Sequence, residues 1–245
     1  VAKVKNVSFL KVCAVSLFAL SVSPVHAFAA GTGDNPAFTP DIKSPKQIQA
    51  EAIKEKELAT YKLNRASFLA AGSQKEIAVP SFKQETSYWC GPATTKQVLH
   101  FFNGSSLSQQ DYAKQLGTTK DGTDFSKVDD VLNANQSKTT YIYKSFNDNE
   151  FSDWKNTLEI DINASYPTVL DLKITPQNMP KYTAEVEGHI LNASGYDYVY
   201  GSAPEIRLTD PFDQGNRGVT LGNVWHPMDG VWNANQAHFR KAILW

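Results

Sequence analysis

The sequence predicts an α+β fold, and three observations carry that reading. Segments that favour helix fill most of the first half of the chain. Runs of β-branched and aromatic residues fill most of the second half. The order, helices first and strands later, is that of segregated α+β layers rather than of alternating βαβ units. At 245 residues with 41% hydrophobic content, the chain can bury one sizeable core and is short for two domains of ordinary size.

The first 29 residues differ in kind from the rest. Lys3, Lys5 and Lys11 supply positive charge, and no acid occurs before Asp34. An apolar stretch over 12–22 follows, then small residues around Val25-His26-Ala27 and Ala27-Phe28-Ala29. A basic start, a short apolar centre and an A-x-A-like exit predict a secretory signal peptide over 1–29, cleaved after Ala27 or Ala29. The apolar stretch is shorter than the roughly 20 residues a spanning helix takes. The expectation is therefore an exported, cell-envelope or secreted protein with no stable membrane span once the signal is removed.

Residues 30–72 form a second region. Gly, Thr, Asp, Asn and Pro over 31–45 read as a linker or arm. The stretch 46–71 is rich in Ala, Glu, Lys, Gln and Leu without Gly or Pro, which predicts a helix; Ile53, Leu58, Tyr61 and Phe68 are its candidate apolar face. A propeptide element, a spacer and the first helix of the domain all fit it.

The compact domain is expected over 73–245. After an extended segment at Ile77-Ala78-Val79-Pro80, a helix should begin at Cys90-Gly91-Pro92, since proline suits the first turn. Its inward face would carry Ala93, Val98, Leu99 and Phe102. Ser108 with Asp111 announces a second helix, and Ser126 with Asp129 a third. Strands are predicted over 139–144, 167–174, 189–196, 205–208 and 238–244, with a helix over 150–162 between the first two.

Composition excludes some functions. A charged fraction of 20% and a formal net charge of −1 leave no basic stripe to neutralise a phosphate backbone, so no nucleic-acid partner is expected. Without a CxxC, an H-x-x-x-H or a glycine-rich phosphate loop, no metal or cofactor is expected either.

Cysteine usage is more informative. Cys13 lies in the signal segment, so Cys90 is the single cysteine of the mature chain and has no internal disulfide partner. It stands at a predicted helix start, where backbone N–H groups favour an anion. Gly91 allows close backbone approach, and Gln84, six residues upstream, offers an amide to an oxyanion. His189 opens an apolar strand that would hold an imidazole rigidly. Asp210 should end the strand that begins at Glu205, where a carboxylate could orient that imidazole. Asp197, in Gly195-Tyr196-Asp197, is the alternative acid, and a turn-capping role would explain either. His100 lies on the nucleophile's own helix, about 15 Å along its axis; His226 and His238 follow the expected acid. Trp89 reads as core, and Gly122-Thr123 as a turn with a helix cap.

Gln84, Trp89-Cys90-Gly91-Pro92-Ala93, Gly122-Thr123, Gly188-His189-Ile190 through Gly195-Tyr196-Asp197, and Asp210-Pro211 together resemble the C39-like cysteine peptidases. The resemblance runs from about Val79 to at least Phe212. It implies a papain-like fold, with a helical first half packed on an antiparallel sheet from the second half. It also implies Cys90 as nucleophile, His189 as base, Asp210 as its orienting acid and Gln84 in the oxyanion hole. The partner would be a peptide or protein substrate, including cell-wall peptide. A thiol amidase or transpeptidase on cell-wall peptides would use the same residues, and a non-catalytic peptide-binding module would keep the fold without turnover.

Overall fold

A computed structural model of the chain describes residues 1–2, 33–68, 73–199 and 203–245. Apart from its first two residues, the expected signal segment, with Cys13, lies outside the described residues.

Helix α1, Pro45–Phe68, starts one residue earlier than its composition suggests. Ser44 Oγ accepts from the N–H of Gln47 (3.3 Å), while Gln47 Oε1 accepts from the N–H of Ser44 (2.8 Å). This reciprocal capping box, with Pro45 in the first turn, satisfies N–H groups that a helix start leaves unpaired. Leu58 and Tyr61 are buried as expected, but Ile53 is exposed; the side chain of Phe68 lies outside the described residues. Helix α1 docks on α5, Phe151–Asn163, through Arg65–Glu159 (2.9 Å) and Lys62–Asp153 (2.6 Å).

Helix α2 spans Cys90–Asn103 and begins where proline predicted. Helix α3, Gln109–Leu116, is capped by Ser108, whose Oγ accepts from the N–H of Asp111 (3.1 Å). A 3-10 turn at Phe125–Lys127 leads into α4, Val128–Asn135. The cap there is Asp124, accepting from the N–H of Ser126, rather than Ser126 itself. A carboxylate one residue outside the turn reaches its first free N–H, which Ser126, already inside the turn, cannot do.

Among the described residues, seven strands form one antiparallel sheet. They are β1 Gln74–Glu76, β2 Tyr143–Ser145, β3 Thr168–Ile174, β4 Val186–Asp197, β5 Glu205–Asp210, β6 Gly222–Pro227 and β7 Ala242–Leu244. Their order is β2-β7-β3-β4-β5-β6, with β1 paired to the end of β4 that runs past β3. Strand β6 and helix α6, Met228–Ala237, are additions to the predicted elements.

The pleat sends alternate residues to opposite faces. Val169 of β3, Ile190 of β4 and Leu244 of β7 pack with Val98, Leu99, Leu116 and Leu132 from α2, α3 and α4. Their neighbours Leu170, Leu191 and Ile243 pack with Leu58, Trp154, Leu158 and Val231 from α1, α5 and α6. The result is an α+β molecule with helices on both faces of the sheet. Among the described residues, no helix is long and apolar enough to cross a membrane.

Candidate active site

Cys90 is the first residue of α2, and that helix is fixed against β4 by polar contacts along one side. Cys90 Sγ accepts from the N–H of Ile190 (3.3 Å), and one turn later Thr94 Oγ1 donates to the carbonyl of the same Ile190 (2.9 Å). Asn192 then donates from Nδ2 to Gln97 Oε1 (2.8 Å). Both backbone groups of Ile190 are thus engaged by α2, which sets the thiol beside the preceding residue of the strand, His189. Thr94 and Gln97 carry no signal in the sequence beyond lying three or four residues apart on one helix face.

His189 and Asp210 come from the adjacent strands β4 and β5. His189 Nε2 lies 2.7 Å from Asp210 Oδ1, and the Cys90 side chain is near enough to favour the charged imidazole. Asp210 further accepts from the N–H of Phe212 (2.7 Å) at Oδ1 and from the Tyr182 hydroxyl at Oδ2. Donors on both oxygens fix the carboxylate, and so the imidazole it holds. Burial alone would strip the charge from His189, but Asp210 and the Cys90 side chain outweigh it and push the imidazole up to about 10. The imidazolium is therefore the resting form near neutral pH.

Of the two candidate acids, Asp210 is the one in contact with His189. Asp197 accepts from the N–H of Val199 (2.8 Å), a turn-capping contact at the strand end. Gln84 is tied to the same corner: its N–H donates to the carbonyl of Pro211 (2.8 Å), and Nε2 gives one hydrogen to Thr86 O (2.9 Å). Its Oε1 is buried without a hydrogen-bond partner. Trp89 is half-buried and edge-on to Tyr88 (6.3 Å between centroids), lining a surface cavity of about 340 Å³ rather than filling the core. His100 bonds Ser106 (3.1 Å), away from this corner.

Family comparison adds a second line. The model of the peptidase C39 like family matches residues 76–237, about two thirds of the chain. The chain belongs to the C39-like peptidases. Gln84, Cys90, His189 and Asp210 of this C39-like chain all fall inside the match. Neither the curated proteins nor the solved structures compared with it give a match.

A second polar cluster lies close by. Asp34, Asp171 and His238 are all buried, and their ligand-type atoms lie within 4.8 Å of one another. Arg240 Nε sits 2.6 Å from Asp34 Oδ2, so a guanidinium already fills the cationic role there. Burial, with the charge of Asp34 beside it, holds Asp171 well above the usual carboxylate range.

Thr123 does more than make a turn. Its backbone pairs with residues 33–35, and it stands so near Gly91 that a Cβ there would come within 2.4 Å of Thr123 Oγ1. Gly33 lies on Cys90 itself: a Cβ at this position would meet Cys90 Sγ at 2.4 Å and Gly188 O at 2.5 Å.

Proposed function

We propose that this chain is an exported, papain-like cysteine peptidase that hydrolyses peptide bonds through an acyl-enzyme on Cys90. The observation that carries this reading is the single line from Cys90 to His189 to Asp210, closed by the 2.7 Å contact between the last two. A thiolate at a helix N-terminus beside an imidazolium is the form of cysteine that attacks a carbonyl. Attack makes the S–C bond and places negative charge on the carbonyl oxygen. The backbone N–H of Cys90 and the amide of Gln84 are the donors proposed for it. His189 then gives its proton to the departing amine as the C–N bond breaks. Water, deprotonated by the now neutral His189, attacks the thioester carbonyl; the C–S bond breaks, releasing the acid and restoring the thiolate–imidazolium pair.

Export rests on the basic, apolar and small-residue succession of residues 1–29. Substrates would be proteins or cell-wall peptides, bound as extended chains. Turnover of a peptide panel, read by mass spectrometry, tests the reading. Wild type should yield hydrolysed products. Cys90→Ala should yield none, and His189→Ala should be slower by about 10²–10⁴-fold. Products joined to added amines would make the chain a transpeptidase. Saturable binding that survives Cys90→Ser, with no time-dependent product in wild type, would make it a binding module.

A further inference from the structure

Cys90 is only 1% exposed, and His189 and Asp210 are equally buried. A nucleophile so covered cannot meet a substrate carbonyl. The cover is the chain's own segment 33–35. The N–H of Gly33 donates to Gly188 O (2.7 Å), the residue just before His189. The N–H of Thr123 donates to Gly33 O (3.0 Å), and the N–H of Asn35 donates to Thr123 O (2.9 Å). The segment is thus held from both sides by main-chain bonds, as a peptide is when it adds to a strand edge. Only glycine fits over the thiol, because any Cβ would strike both Cys90 Sγ and Gly188 O.

The next residue supplies the anchor. Asp34 accepts from the N–H of Phe125 at Oδ1 (2.9 Å) and from Arg240 Nε at Oδ2 (2.6 Å). Arg240 also donates to Asp124 Oδ1 and Thr39 O (3.0 Å each). Residues 33–39 and Arg240 lie outside the family match, whereas Gln84, Cys90, His189 and Asp210 lie inside it. The catalytic set is complete without the segment that covers it. Helix α1 makes ion pairs with α5 and with Lys144 of β2, so the cover is the extended segment ahead of it.

We propose that residues 33–35 are a built-in ligand of the cleft, masking Cys90 until displaced, and that Arg240 holds them there through Asp34. The carbonyl of Gly33 is bonded to the N–H of Thr123 and not to Gln84, so the segment lies over the thiol as an inert occupant rather than as a bond under attack. The same contacts define what displaces it: an extended peptide with glycine over the thiol and an acidic residue next to it. Masking rests on Cys90 being the reactive thiol of the proposed function, yet it can be read without turnover.

Iodoacetamide labelling at Cys90, followed by peptide mapping on the full chain, tests it. Gly33→Val should label at least tenfold faster than wild type, and Asp34→Asn several-fold faster, with circular dichroism showing the fold retained. A peptide of residues 33–39 should slow labelling of Gly33→Val again. It should act near millimolar concentrations, since it replaces an intramolecular ligand. The same peptide with asparagine for its aspartate should protect less. Wild type labelling as fast as folded Gly33→Val would overturn the proposal; if that variant does not fold, Asp34→Asn decides by the same criterion. Fast labelling of the variants without any peptide turnover would instead overturn the peptidase reading and leave masking intact.

Discussion

His189 and His238 are both buried, both face an aspartate, and hold opposite charge states. His189 Nε2 is 2.7 Å from Asp210, and its imidazole is raised to about 10. His238 Nδ1 is 3.3 Å from Asp171 and Nε2 is 3.8 Å from Asp34, yet its imidazole is lowered to about 3. Burial pushes both toward the neutral form. At His189 the Asp210 charge answers it. At His238 burial is reinforced by the charges of Arg240 and Lys173, while Asp171 is itself held well above the usual carboxylate range. A histidine beside an aspartate is thus not by itself a catalytic pair; the net charge around it decides. The first site holds a charged imidazole beside Cys90, and the second a neutral imidazole beside the Asp34–Arg240 pair.

The largest expected effect comes from removing the cation that separates the two. Arg240→Met leaves Asp34 and Asp124 buried without their counter-ion, at a cost of about 3–5 kcal/mol, measurable by urea unfolding. His238 should then titrate nearer its ordinary value, while His189 should not move. Equal movement of both would break the comparison.

Sequence made the first site far more legible than the second. Cys90-Gly91-Pro92 marks a helix start through local chemistry, Ser108 with Asp111 marks a cap, and β3 and β4 are apolar runs bounded by turns. Asp210 could be placed because it ends a readable strand. Neither Asp34 nor Arg240 carries such a signal. Residues 31–45 have the composition of a linker, and nothing local tells that Asp34 pairs with a residue some two hundred positions away. Strand β6 and helix α6 went unread for a related reason. The strand is short, ends at Pro227 and has irregular burial, and the helix follows with no side-chain cap. The strand expected over 238–244 shrinks to Ala242–Leu244 because Lys241 turns the chain with φ 48°.

A smaller effect should appear in stability against pH. His189 is raised in the folded state, so its contribution is full below about pH 6.5, the ordinary histidine value, and is lost as pH rises toward about 10. Wild type should therefore lose up to about 1.4 kcal/mol more per pH unit than His189→Gln across that interval, measured by chemical unfolding at a series of pH values. Parallel curves for the two proteins would mean that Asp210 does not hold a charged imidazole.

Histidine titration followed by NMR in the wild-type chain, alongside Asp210→Asn, tests the central claim most directly. The account predicts that His189 stays protonated well above pH 7 and that Asp210→Asn brings its titration down by about 1–3 pH units. It predicts that His238 stays neutral until pH falls toward about 3 in both proteins. Titration of both histidines near pH 6.5, unmoved by Asp210→Asn, would contradict it.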